Sequence, residues 1–119
     1  MGRSRPDANA LRGFVAAFSQ GLRLPRTSLK IVGLLATRGQ LSVRQIVRLV
    51  RASERSVRQN LALLMKRGLL QREVLVTTKK KLAYAYSLPD ISELLVAAER
   101  ELASTVTRLQ LFARRATGD

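Results

Sequence analysis

Most of the side chains that could do chemistry in this sequence are cationic. Its 119 residues include 22 Lys and Arg and 8 Asp and Glu, but neither Cys nor His. A thiol nucleophile, an imidazole base, a disulfide bond and a Cys/His metal site are therefore excluded, and the patterns GxxxxGKS/T, GxGxxG and GxSxG do not occur. The composition predicts no enzyme, cofactor or metal site. It favours binding to a polyanion, because a net charge of +14 on so short a chain repels itself.

The charge is concentrated in the middle of the chain. The net charge is +3 for residues 1–25, +9 for 26–67, +3 for 68–89 and −1 for 90–119. The middle is expected to meet nucleic acid, with double-stranded DNA as the first candidate and RNA as the other, while the last thirty residues form a different surface. Apolar runs are too short for a membrane span or a signal-peptide core. We therefore expect a cytoplasmic, nucleoid-associated protein without membrane contact.

Two helices are predicted in the first third of the chain. Apolar residues spaced three and four apart predict a helix over residues 8–22, with Asp7 placed to cap its start. A second apolar pattern predicts a helix over residues 27–37, which ends at Gly39 because glycine favours helix C-termini.

Serine caps mark the next two helices. Ser42 with Gln45 three residues later is a capping-box pattern that begins a third helix. Ser53 is the expected cap of a fourth helix, which Gly68 ends. The buried face of this fourth helix is predicted from its apolar residues Val57, Leu61, Leu64 and Met65.

Two strand-like segments follow, over Leu69–Thr77 and Leu82–Ser87. The connector over residues 78–81 is rich in lysine and contains no Gly, Asn or Asp, so we expect a longer, mobile, basic loop rather than a two-residue turn. Tyr84 and Tyr86 share one strand face and are expected to pack the core or the hairpin rather than to stack on bases.

The last helix, over about 90–115, carries a regular apolar repeat with alternating spacings of four and three residues. This 3.5-residue period is typical of a coiled-coil seam, and it consists of Ile91, Leu95, Ala98, Leu102, Thr105, Leu109 and Phe112. The helix is too long for so small a body to cover, so the seam predicts a homodimer, in parallel or antiparallel pairing, rather than a helix folded back on its own domain. The same interface is expected to include Leu11, Phe14 and Phe18 of the first helix.

A resemblance to known families lies in the segment LSVRQIVRLVRASERSVRQNLALLMKRGLLQRE. It resembles the DNA-binding core of the MarR, ArsR, PadR and TrmB regulators, and the resemblance extends over residues 26–88. It implies a winged helix-turn-helix: a mainly α fold with a small β-hairpin (α+β). Residues 1–25 would form an N-terminal arm and helix, 26–88 the DNA-binding domain and 89–119 the C-terminal dimerisation helix. Without Cys or His, the metal and redox sensors of such families have no ligands here, and a small-molecule effector is not expected.

The resemblance also implies which residues contact DNA. Helix 54–67 is then the recognition helix in the major groove, and its outward residues match base-contacting positions: Glu54, Arg55, Ser56, Arg58 and Gln59. Arg donates two hydrogen bonds to guanine, Gln pairs with adenine and Glu accepts from cytosine. Phosphate contacts are expected from Ser42, Arg44 and the cap Ser53, and backbone or minor-groove contacts from the wing tip, Lys79, Lys80 and Lys81.

The sequence thus favours a homodimeric DNA-binding regulator that represses by occlusion. Two alternatives remain open at this point. A chromatin-organising protein would share the fold and charge but make only phosphate contacts, and a docking subunit of a transcription or replication assembly would use the same fold to bind protein.

Overall fold

The computed structural model describes residues 8–118, so the expected cap Asp7 lies outside the described residues. Five helices and three strands follow one another as α1 (Ala8–Leu22), α2 (Arg26–Arg38), β1 (Leu41–Ser42), α3 (Val43–Val50), α4 (Glu54–Lys66), β2 (Gln71–Val76), β3 (Leu82–Ser87) and α5 (Ile91–Ala116). The mainly helical α+β fold and all five predicted helices are confirmed. No helix among the described residues is both long and apolar enough to cross a membrane.

The strands form one antiparallel sheet in the order β1-β3-β2. β2 and β3 make a hairpin whose register runs from Gln71 opposite Ser87 at the base to Val76 opposite Leu82 at the tip. β1 is only two residues long, and its Leu41 lies opposite Tyr86. Because β1 leads directly into α3, this pairing fixes the base of the hairpin beside the helices.

The core lies among α2, α3, α4 and the base of the hairpin. Ile31, Ile46, Val57 and Leu64 are fully buried there, so the predicted buried face of α4 is confirmed. The strand expected to begin at Leu69 begins at Gln71 instead. Leu69 and Leu70 precede β2 and are buried, because the chain turns inward after α4 before the hairpin leaves the core.

The helix α5 changes its environment along its length. Near its start, Leu94 and Ala97 pack into the core. One turn later, Arg67 anchors the helix: its Nε donates to Glu101 at 2.9 Å and its Nη2 also donates to the carbonyl of Leu22 at 3.2 Å. Residues 102–118 are exposed throughout.

This contact with Glu101 raises the pKa of the Arg67 guanidinium. Arg67 therefore stays cationic and is engaged in joining α1, α4 and α5. It adds to the charge of residues 26–67 without being available to a polyanion.

Two residues expected at a dimer seam are covered by their own chain instead. Phe18 and Ala98 are 8% and 9% exposed and belong to the core cluster. Leu11 and Phe14 are partly buried against the same core, and the Phe14 and Phe18 rings lie 5.8 Å apart. The structure differs from the expectation because an apolar stripe shows only that a helix face is buried. It does not show whether the same chain or a second chain covers that face.

Candidate nucleic-acid interface

The first two turns of α4 carry a run of polar side chains. Ser53 caps the helix: its hydroxyl accepts a hydrogen bond from the Ser56 N–H at 3.1 Å. The side chains of Arg55, Arg58 and Gln59 then point to solvent, because Val57 and Leu61 hold the opposite face in the core. Ser56 is half-buried, so of the outward residues expected on this helix it is the least accessible.

Glu54 and Arg58 form an ion pair one turn apart, with 3.5 Å between the carboxylate and the guanidinium Nε. Both side chains are well exposed, at 66% and 59%. Exposed pairs of this spacing contribute only about 0.3–0.5 kcal/mol. A ligand that offers Arg58 a better acceptor can therefore displace Glu54 at little cost.

A polar contact between α2 and α4 holds α4 in place. The Ser28 hydroxyl donates to Asn60 Oδ1 at 2.6 Å, and Asn60 Nδ2 donates to the Ser56 carbonyl at 2.8 Å. Ser28 is fully buried, so this hydrogen bond is shielded from water and fixes α4 relative to α2. Sequence reasoning missed both residues. The sequence carries one signal for Ser28: it is a serine on the buried side of a helix, where an apolar residue is usual.

Hydrogen bonds also fix the start of α3. Ser42 accepts from the Gln45 N–H at 3.2 Å, while Gln45 Oε1 accepts from the Ser42 N–H at 2.9 Å, so the expected capping box is confirmed. The Ser42 hydroxyl hydrogen is not used by the cap and can still donate to an anion. Arg44, two residues after Ser42, is exposed.

The hairpin carries Lys79, Lys80 and Lys81 at its tip, far from the core. Its six paired positions project the tip about 17–20 Å from the base. The connector over residues 77–81 is longer than a two-residue turn, as expected, and backbone hydrogen bonds close it. The Thr77 N–H donates to the Lys81 carbonyl at 2.9 Å, and the Lys80 N–H donates to the Thr77 carbonyl at 2.8 Å. The chain closes this loop without glycine because Lys80 itself adopts a positive φ of 55°.

An open groove of about 410 Å³ separates α4 from the hairpin. Arg58 and Arg72 line it together with Tyr86, so two cations from different elements face the same space. The Arg72 guanidinium also lies 4.3 Å from the centre of the Tyr84 ring, a cation–π distance. Tyr86 is buried, as expected, whereas Tyr84 is 41% exposed and its ring contacts Arg72 of the hairpin. Arg72 is a further candidate contact that sequence reasoning did not single out.

The sites expected from sequence thus fall into three groups. Glu54, Arg55, Arg58 and Gln59 lie together on the first turns of α4, next to its cap Ser53. The lysines of the tip lie at the far end of the hairpin, beyond the groove that holds Arg58. Ser42 and Arg44 lie at the other end of the short helix that leads into α4. The groove between α4 and the hairpin joins the first two of these groups in one exposed face with an excess of cations.

Comparison with known proteins agrees with this architecture. Residues 26–71 match the family model of the RNA polymerase III subunit RPC82 helix-turn-helix domain, and no curated protein matches the sequence. Among solved structures, a protein of Methanosarcina mazei Go1 described as a possible transcriptional regulator superposes with a TM-score of 0.68 at 13% identity, covering 84% of this chain and 85% of that one.

Two further solved structures superpose on this chain with lower TM-scores. PadR of Bacillus subtilis, solved in complex with operator DNA, gives a TM-score of 0.52 at 17% identity over 81% of this chain and 61% of PadR. The ST1889 protein of Sulfolobus tokodaii gives 0.53 at 20% identity over 79% of this chain and 97% of that one. Together with the order of helices, the short first strand and the basic hairpin, these matches show that the chain has the winged helix-turn-helix fold.

Proposed function

We propose that this protein is a homodimeric DNA-binding regulator of transcription that represses by occluding its site. The observation that carries the proposal is the exposed cationic face formed by the first turns of α4 and the hairpin. The structural match to PadR, which was solved with operator DNA, supports the same use of this face.

In this proposal, α4 enters the major groove. A groove about 12 Å wide admits one helix, and the Ser53 cap and the contact of Ser28 with Asn60 hold α4 in a fixed orientation. Arg55 and Arg58 would donate to guanine, Gln59 would pair with adenine, and Glu54 would accept from cytosine once Arg58 leaves it.

The remaining cations would position the protein on the backbone. Lys79, Lys80 and Lys81 would reach phosphates or the minor groove beside α4, and Arg44 with the hydroxyls of Ser42 and Ser53 would hold phosphates at the start of each helix. Such contacts carry no sequence information, but they supply much of the affinity.

A second copy would complete the binding unit through the exposed seam of α5. Two recognition helices related by a two-fold axis read half-sites about one helical turn apart. A dimer of this kind predicts a two-fold-related DNA site.

Selection from a pool of random duplex DNA at about 150 mM salt tests the proposal. A regulator enriches a two-fold-related sequence and binds it about a thousandfold or more tighter than bulk DNA. Tight binding without an enriched sequence would contradict a sequence-specific regulator and favour a chromatin-organising protein. A protein that does not bind duplex DNA at this salt concentration would refute the proposal.

One observation favours a second candidate function. The matching family model describes a domain of an RNA polymerase subunit, and such a domain in a large assembly need not bind DNA by itself. The second candidate is therefore a docking subunit of a transcription assembly. It predicts no tight binding to free duplex DNA and a different protein, rather than a second copy, on the α5 seam.

A further inference from the structure

The two faces of the hairpin differ in charge. Arg72 lies opposite Tyr86, and Tyr84 is on the same face, because side chains alternate along a strand. Glu73, the one acidic residue in the two strands, is on the other face, where its carboxylate accepts a hydrogen bond from Gln40 Nε2 at 2.9 Å. Arg72 is the one cation of the two strands, and no acidic residue of the hairpin shares its face.

The face that carries Arg72 is turned toward α4. Arg72 and Tyr86 line the groove between the hairpin and α4, and Arg58 lines it from the side of the helix. At about 100° per helical residue, Arg58 is about 60° from Arg55 and about 100° from Gln59 around the helix axis. Those two side chains are exposed and point away from the core. The groove therefore opens beside the outward face of α4 and not behind the helix.

The ring of Tyr84 holds the Arg72 side chain in place. The guanidinium lies 4.3 Å from the centre of the ring, and it makes no hydrogen bond or ion pair with residues 8–118. An arginine that stacks on an aromatic face keeps its N–H groups available, and their planar arrangement matches the oxygens of a phosphate. Tyr84 thus restricts the position of Arg72 without using its hydrogen-bond donors.

The path of the DNA follows from the positions of the two elements on either side of the groove. When α4 lies in the major groove and the lysines of the hairpin tip lie at the neighbouring minor groove, one phosphate strand separates the two. That strand has to cross between α4 and the hairpin. The groove there is lined by two arginines and by no acidic residue, so its charge suits a phosphate.

We propose that Arg72 binds a backbone phosphate of the strand that crosses between α4 and the hairpin, and that Tyr84 is a positioning residue that acts through Arg72. This inference rests on the proposed DNA-binding function. Arg72 is near the base of the hairpin, and the strand continues for four residues beyond it, about 13 Å, before the lysine-bearing tip begins. The hairpin would therefore hold the backbone at two separate points, which fixes its orientation on the duplex.

The test compares the salt-dependent binding of the full chain and its variants to a duplex of random sequence. Anisotropy titrations between 50 and 200 mM salt give the slope of log affinity against log salt. Arg72→Gln should reduce the slope by about 0.9, which shrinks the affinity change across that range about 3.5-fold. Arg108→Gln makes the same charge change on the exposed distal part of α5 and should leave the slope unchanged.

Substitutions of Tyr84 test its positioning role. Tyr84→Leu should weaken binding about 2- to 10-fold at each salt concentration, because Arg72 must then be ordered when DNA binds, while the slope stays that of the wild type. Tyr84→Phe keeps the ring and should bind as the wild type does. In the Arg72→Gln background, Tyr84→Leu should cause no further loss, because the ring acts only through Arg72.

Three results would overturn the inference. A slope for Arg72→Gln equal to that for Arg108→Gln, with the wild type still binding, would remove the phosphate contact and leave the DNA-binding function standing. A further loss in the double variant, or a Tm of Tyr84→Leu that falls by more than the few degrees expected for a partly exposed residue, would replace positioning with a direct or structural role of Tyr84. A wild type that does not bind would overturn both this inference and the proposed function.

Discussion

The exposed half of α5 provides the sharpest test of dimerisation. Beyond Glu101 this helix continues for 15 residues, about 22 Å, and large apolar side chains there remain about half exposed. Leu102 and Val106 are each 50% exposed, Leu109 is 62% exposed and Phe112 is 59% exposed. We expect Leu109→Glu to convert the dimer to a monomer.

The magnitude follows from the exposed fractions. Full burial of such a side chain contributes about 1.5–3 kcal/mol, so these four residues and Leu95, which is 47% exposed, offer together roughly 8–16 kcal/mol over two copies. Association costs about 4–15 kcal/mol in lost freedom. The free energy gained by burial slightly exceeds the cost of association, so a dimer is expected to form with a small net stability.

Leu109→Glu acts on both copies. It removes about 2–4 kcal/mol of apolar burial and places two carboxylates in an apolar seam, where an unpaired charge is strongly unfavourable. The dissociation constant should therefore rise at least about 100-fold, since about 2.7 kcal/mol corresponds to that factor.

Sedimentation velocity at about 20 μM measures the outcome. The wild type should sediment at twice the 13.2 kDa mass of the chain and Leu109→Glu as a single chain. Thr107→Glu is the matched control, because it makes the same charge change on an exposed residue nearly opposite Leu109 on the helix. A monomeric wild type, or equal effects of the two substitutions, would refute the argument from the seam.

Three further results are expected. Arg58→Ala should cost about 1–3 kcal/mol at one base position of a selected site, measured against single-base variants, and a loss that is uniform over all sequences would contradict base readout. Replacing Lys79–Lys81 by Ala should weaken selected and random duplexes alike and reduce the salt slope by up to about 0.9 per lost phosphate contact, so a loss confined to the selected site would contradict a backbone role. Ser28→Ala should leave Asn60 without its buried donor and destabilise the fold by about 1–3 kcal/mol in denaturant titration, whereas the exposed control Thr37→Ala should change stability by less than about 0.5 kcal/mol.

Local signals predicted the helices well because the information lies within a few residues. Ser42 with Gln45 and Ser53 with Ser56 make their cap hydrogen bonds at the expected places. The apolar spacing of Val57 and Leu61 likewise determines which side of α4 faces solvent, so the exposed position of Arg58 follows from the sequence alone.

Contacts between distant elements could not be predicted in the same way. The hydrogen bond of Ser28 to Asn60 spans 32 residues, and neither residue shows locally that it has the other as partner. The apolar stripes on α1 and α5 were recognised, but their partners were not. Phe18 and Ala98 meet their own core, because the position of α5 against α1 is decided by packing of the whole domain.

The turn of the hairpin shows how far a local rule reaches. A connector without glycine correctly predicted a loop longer than two residues, but it did not predict that Lys80 adopts the positive φ that glycine favours. Arg51 takes the same conformation in the turn before α4. At Lys80 this conformation costs a small part of the folding free energy and keeps a cation at the hairpin tip. If Lys80 holds a phosphate, Lys80→Gly should weaken DNA binding without lowering Tm, and this opposition between affinity and stability distinguishes a contact residue from one that merely closes a turn.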